Sequence, residues 1–293
     1  ASLITTGQAQ FVIAGGAEAW SRAPIRQHRP RSPGEAPVPY ERPAFAPDPR
    51  RDPDLIQAAA DYAAQAQVSR VEQDAYAVRS HARALAARER MAPEIVPLGA
   101  IRHDSYPRHL SAAQAARMPV AAKSDQRLDA RIKASSGAVS RLSISPKADG
   151  AAFVLLASRQ AATQLGLTPR LQWRGSLAMG GRPEMPMLAA ASAAEALLAR
   201  HDLRPATLWG VELHEAFAVQ ALAFADALDI EPERMNRGGG GIARGHPIGA
   251  SGAVSLVRLL ADMATLDAPS GALSMAAIAA AGGLGSAALV EKL

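Results

Sequence analysis

Residues 238–252, GGGGIARGHPIGASG, constrain this chain more than any other stretch. Gly245, Gly249 and Gly252 let the backbone pass close to a ligand or a neighbouring helix, and Pro247 fixes the chain just after His246. The run ASGAVSLVRLLADM that follows reads as a helix, and its first N–H groups would face the loop, where they can receive an anion. A lone histidine among glycines is more often structural than catalytic, so the loop by itself does not make His246 an active-site residue.

Elements around the loop alternate between strand and helix, which argues a layered α/β architecture. The segment QFVIAGG (10–16) reads as a short buried parallel strand that stops at paired glycines, after a helix that ends near Gly7. Ser69 and Glu72 in SRVE form a capping box for a helix running to about Arg90. PEIVPL (93–98) reads as a strand, and residues 103–146 as an elaborated loop region. DGAAFVLLAS, from Asp149, reads as a buried strand or tightly packed helix start that opens a compact α/β half. That half continues with a helix at 189–201, a strand WGVEL (209–213), a helix EAFAVQALAFADAL, the glycine loop and its helix. It ends in LSMAAIAA and SAALVEKL, joined by AGGLG as a hairpin.

The 293 residues are 48% hydrophobic, enough for two domains or one domain with a large insertion. There is no apolar run of transmembrane length, and the start ASLITTGQAQ lacks the pattern of a signal peptide, so a cytoplasmic protein is expected. Cysteine is absent, which excludes disulfides, thiolate metal sites and a cysteine nucleophile within this sequence. The net charge of +5 is carried by arginine, with Lys123, Lys133, Lys147 and Lys292 the only lysines. Basic residues crowd between Arg22 and Arg51 among many prolines. With only Trp20, Tyr40 and Phe45 interleaved, the stretch reads as a solvated loop, with a small anionic cofactor as the alternative and no support for nucleic acid.

Seven segments in order resemble the thiolase superfamily, of the acetyl-CoA C-acyltransferase type. They are VIAGGAEAWSRAP (12–24), VSRVEQDAYAVRSHARA (68–84), PEIVPL, DSYPR (104–108), DGAA (149–152), HEAFA (214–218) and AAAGGLG (279–285), and GGxIAxGHPxGASGA joins them. The resemblance implies a five-layered α/β/α/β/α fold with an inserted loop domain that binds coenzyme A. Residues 1–148 would be the remainder of the N-terminal half with its loop domain at about 20–145, and residues 149–293 the C-terminal half. It also implies acyl transfer between CoA thioesters in fatty-acid or ketoacyl-CoA metabolism, with CoA as substrate and neither a separate cofactor nor a metal. A homo-oligomer such as a dimer, or a thiolase-like partner subunit, is implied, and no membrane.

By motif position, His246 inherits the histidine that activates the family's nucleophilic cysteine and helps hold the thioester oxygen. His214, the first residue of HEAF, would position an oxyanion-hole water or else cap a strand-to-helix turn. Ser145 and Phe217 would line the pantetheine channel. Arg108 would meet the adenine end of CoA or form a surface salt bridge. The Ala281 amide would point into a second oxyanion hole.

Two departures qualify the implied activity. The family's nucleophile lies upstream of Ala1 by motif alignment, leaving the N-terminal half incomplete in this sequence. The second cysteine position is Ala279, which can neither take nor give a proton. Ser143 replaces the Asn of the family's GNAS run, and Gly238 replaces the second Asn of NxNGG, while Asn236 is kept. The leading expectation is an acyl-CoA-binding protein impaired in, or lacking, the family reaction as this chain. The alternatives are an acyltransferase whose nucleophile-bearing segment is missing or supplied by a partner, and a non-catalytic subunit of a thiolase-like complex.

Overall fold

The computed structural model describes residues 1–125 and 137–293. The part of the expected loop domain at 126–136 lies outside the described residues. In chain order the described helices are α1 (Ser2–Thr5), α2 (Leu55–Gln65), α3 (Arg70–Ala86), α4 (Arg88–Met91), α5 (Ala112–Ala116), α6 (Arg159–Gln164), α7 (Ala189–Arg200), α8 (Ala218–Ala227), α9 (Gly241–Arg244) and α10 (Ser251–Thr265). The strands are β1 (Phe11–Glu18), β2 (Gln27–His28), β3 (Val38–Pro39), β4 (Val120–Lys123), β5 (Ala138–Ser140), β6 (Gly150–Ala157), β7 (Leu171–Gly180), β8 (Leu208–Leu213), β9 (Leu273–Ala280) and β10 (Leu284–Lys292).

A four-stranded sheet in the order β7-β10-β9-β8 forms the centre. β8 runs parallel to β9, and β10 is antiparallel to both its neighbours. Alanine-rich α7 lies along this sheet, while α10 packs against β8 and β9 and also against β6 and β1. One helix thus separates the sheet from a two-stranded β1–β6 ribbon, giving the layered α/β arrangement. Leu197, Leu208, Leu213, Phe224, Met275 and Leu289 fill the main core with almost no exposure. The β9–β10 hairpin turns through Ala281, Gly282 and Gly283, as the AGGLG signal predicts.

α3 starts at the expected capping box, with Glu72 N donating to Ser69 Oγ at 3.2 Å and Ser69 N to Glu72 Oε2 at 2.7 Å. The helix breaks at Ala87 and resumes as α4, so the single helix expected to about Arg90 is two. α2 buries a face of Ala58, Ala59, Ala60, Ala63 and Ala64, and small side chains there bring it close to its neighbours.

Three strand expectations are corrected. QFVIAGG forms β1, but it pairs antiparallel with β6, Phe11 opposite Ala157 through Glu18 opposite Gly150. Nor are the two strands of the ribbon buried on both faces: Ile13 is 74% exposed, Phe153 58% and Leu155 60%, because alternate residues point away from α10 and meet no packed layer among the described residues. The strand that begins after Asp149 accordingly joins β1 and is separated by α10 from the four-stranded sheet. PEIVPL is not a strand: Ala92–Glu94 is a 3-10 turn, and beyond it there is only an isolated Leu98–Ile101 bridge. Pro93 and Pro97 withhold two backbone donors, and Val96 and Leu98 are exposed. Among the described residues no helix is long and apolar enough to cross a membrane.

Candidate active site

The site forms where β8 ends, and Asn236 controls that end. Its amide donates to Leu213 O at 2.9 Å and accepts from Leu213 N at 2.8 Å, closing the last residue of the strand. The next residue, His214, donates its backbone N–H to Ala277 O of β9 at 2.9 Å. The ring of His214 then packs over the glycine loop. A Cβ on Gly241 would lie 2.7 Å from His214 Cε1, so only glycine fits there. Gly245 has φ +103°, a conformation that L side chains rarely adopt, and it turns the chain so that His246 faces His214.

The two imidazoles lie against each other, with ring centroids 4.0 Å apart and planes inclined by 33°. Burial pushes the His246 pKa down to about 4, opposed by the Glu18 carboxylate. Burial also holds His214 well below the usual histidine range, reinforced by His246 and Arg244. Both rings are therefore neutral near pH 7.

Ser251 holds the ring of His246: its Oγ lies 2.7 Å from His246 Nδ1 and 2.9 Å from Pro247 O, a carbonyl that also accepts the backbone N–H groups of Ala250 and Ser251 at 2.8 Å. His246 Nε2 is the ring nitrogen left to face a ligand: with a lone pair there it can take a proton from a thiol, and as N–H it can donate to an oxyanion. His214 Nε2 is buried with no hydrogen-bond partner among the described residues.

A short backbone strip joins this pair to the residues expected to meet CoA. His246 N donates to Pro146 O at 2.7 Å and Ser145 N to Ala216 O at 2.9 Å, while Ile144 bridges Phe217 and Lys147 bridges His246. Residues 144–147 thus bring Ser145, Phe217, His214 and His246 into one cluster. Phe217 is buried against Ala59, Ala60, Ala63 and Met187, so most of its ring is committed to packing. Ala279 follows Ala277 on β9 and lines an apolar cavity of about 430 Å³ with Ile278, Met179 and Leu284. Ala281 lies in the hairpin turn beyond it. Arg108 stands apart: its guanidinium lies 4.4 Å over the Tyr106 ring and donates to Tyr106 O at 3.3 Å, which keeps it in its own loop. Among the described residues no cluster of three His, Cys, Asp or Glu is placed to hold a metal ion.

Glu215, next to His214, is the residue that sequence reasoning missed. Its buried carboxylate accepts from Tyr76 Oη at 2.7 Å, Ser80 Oγ at 3.0 Å, the Asn236 amide and Ile242 N at 3.4 Å. Ser80 Oγ in turn accepts from Gly240 N at 3.0 Å. This carboxylate ties α3, the end of β8 and the glycine loop into one unit. Tyr76 and Ser80 stand four apart on one face of α3, a pair of buried hydroxyls that could have signalled a polar partner.

Sequence-family models for the thiolase N-terminal domain and the thiolase C-terminal domain match residues 1–160 and 167–292. The chain belongs to the thiolase family. Among the relatives of this thiolase is “Putative acetyl-CoA C-acetyltransferase YhfS” of Bacillus subtilis (strain 168), 35% identical over all of this chain and 74% of the relative. “Putative acetyl-CoA C-acetyltransferase VraB” of Staphylococcus haemolyticus is 34% identical over 96% of this chain and 71% of the relative. The crystal structure of Acat5 thiolase from Ascaris suum in complex with coenzyme A superposes with a TM-score of 0.84 at 29% identity, covering 100% of this chain and 75% of that one. Human mitochondrial 3-ketoacyl-CoA thiolase in complex with CoA gives a TM-score of 0.86 at 25% identity, covering 100% and 73%.

Proposed function

We propose that this thiolase-family chain binds CoA and acyl-CoA at the His214–His246 cluster and does not itself carry out thiolysis or Claisen condensation. The observation that carries the reading is a neutral His246 beside a second neutral histidine, with Ala279 where the family's second cysteine would be and no cysteine within these 293 residues. Within these residues the imidazole has no thiol to deprotonate. What it offers is polar contact with a thioester oxygen, directly as an N–H donor or through a water as an acceptor. In this reading His214 orders a water beside that oxygen, and the Ala281 amide adds a further donor. Ser145 and Phe217 border the pantetheine arm, Arg108 swings from Tyr106 to meet the nucleotide end, and the described residues between about 20 and 145 belong to the loop domain.

The test is incubation with acetoacetyl-CoA and CoA. The expected result is no acetyl-CoA formed and an unchanged intact mass, while CoA protects His246 from acylation by diethyl pyrocarbonate. Turnover at rates typical of enzymes, or no protection at millimolar CoA, overturns the reading.

A second reading is favoured by the exposed apolar face of the ribbon at Ile13, Phe153 and Leu155. In it, a partner or a further segment covers that face and supplies the thiol, making the assembly an acyltransferase. An acyl adduct on a co-purifying cysteine-bearing polypeptide would favour it over the first.

A further inference from the structure

The turn that carries His246 rests on the inner face of the β1–β6 ribbon. Glu18 pairs with Gly150 across that ribbon, and Gly16 with Ala152, so Gly16, Glu18 and Gly150 share one face. A Cβ on Gly150 would lie 3.0 Å from Pro247 Cγ, and a Cβ on Gly16 would overlap Gly249 O. The two glycines therefore make a close seat for residues 247–250. Glu18, on the same face, closes it: its carboxylate accepts from Gly249 N at 3.3 Å, just before α10 begins.

The other charged groups on the elements around His246 are engaged elsewhere. Glu215 is held by Tyr76, Ser80 and Asn236, and Asp149 by Ser21. Arg244 of α9 is paired with Glu212 of β8. The Lys147 ammonium lies over the Trp20 ring, 4.3 Å from its centre, and His214 is neutral. Glu18 makes no ion pair among the described residues, and its charge is the one that opposes the effect of burial on His246. One carboxylate thus acts on this imidazole in two ways. Its hydrogen bond fixes where the turn holds the ring, and its charge favours the form of the ring that bears both N–H groups.

We propose that Glu18 is a positioning residue for His246: its carboxylate anchors the 247–250 turn and sets a negative charge beside the imidazole. Glu18→Gln separates the two roles, because a glutamine oxygen still accepts from Gly249 N–H but carries no charge, whereas Glu18→Ala removes both. The His246 Cε1–H resonance, assigned against His246→Gln, is followed by NMR as the pH is lowered from neutrality, and the Gly249 amide proton is followed at pH 7. Both variants should titrate His246 lower than the wild type, by about 0.5 pH unit or more. The Gly249 amide proton should move upfield in Glu18→Ala and stay near its wild-type position in Glu18→Gln. The effect on a ligand rests on the CoA reading: at pH 7 Glu18→Ala should bind acetyl-CoA roughly fivefold more weakly than the wild type. An unchanged His246 titration in Glu18→Gln, a wild-type Gly249 resonance in Glu18→Ala, or wild-type affinity for acetyl-CoA in Glu18→Ala overturns the proposal. A wild type that binds no acetyl-CoA overturns the CoA reading alone, and the His246 and Gly249 resonances still decide the role of Glu18.

Discussion

Replacing His246 by Gln tests whether the folded chain holds this ring neutral. A histidine whose pKa falls from 6.5 to about 4 on folding takes its proton first in the unfolded chain. Its contribution to stability is therefore complete above pH 6.5 and is lost as the pH falls towards 4. Each unit of the gap corresponds to about 1.4 kcal/mol. The wild type should lose about 1 kcal/mol more than His246→Gln between pH 7 and 5.5, and about 2.5 kcal/mol more by pH 4.5. Removing His246 also removes a neighbour that lowers the His214 pKa, and this acts in the same direction. Urea unfolding of both proteins at pH 7, 5.5 and 4.5, with fluorescence and circular dichroism followed together, measures the difference. Parallel pH profiles, with a gap constant to within about 0.5 kcal/mol, would refute the claim that burial keeps His246 unprotonated.

Glu215→Gln places an amide donor against the hydroxyls of Tyr76 and Ser80 and should cost about 2–4 kcal/mol, with strong coupling to Tyr76→Phe in a double-mutant cycle measured by urea unfolding. Arg258 is buried against Glu94 and Asp262, so Arg258→Met leaves two carboxylates short of charge. It should destabilise by about 3–5 kcal/mol in the same assay. Ser69→Ala breaks the capping box of α3 and should cost about 1 kcal/mol, read from the thermal midpoint, without altering ligand binding.

Much of the C-terminal half was legible because local signals agree with packing there. WGVEL, the helix of α7 and the AGGLG hairpin each combine a periodic apolar pattern with a stop signal, and each becomes the expected element. β1 and β6 misled for a physical reason: a short apolar run looks the same whether one face or both are covered, and only the tertiary partner α10 decides. PEIVPL misled because β-branched residues suggested a strand where the prolines prevent a ladder. In the candidate site, the glycine loop and HEAF marked His246 and His214, but nothing local announced that their rings would touch. The Glu215 hub was hidden because its partners Tyr76 and Ser80 are distant in sequence. Ser251 holds His246 at Nδ1 through a hydroxyl that the sequence offers only as one more small residue at a helix start.

Recognition of a CoA thioester without reaction is the role proposed for the histidine cluster of these 293 residues. Calorimetric titration of acetyl-CoA into the whole chain, with the intact mass recorded at the end, tests it most directly. One saturable site is expected, weakened in His246→Gln, with a protein mass unchanged by the ligand. No heat of binding at millimolar acetyl-CoA, or a protein heavier by an acetyl group, would contradict it.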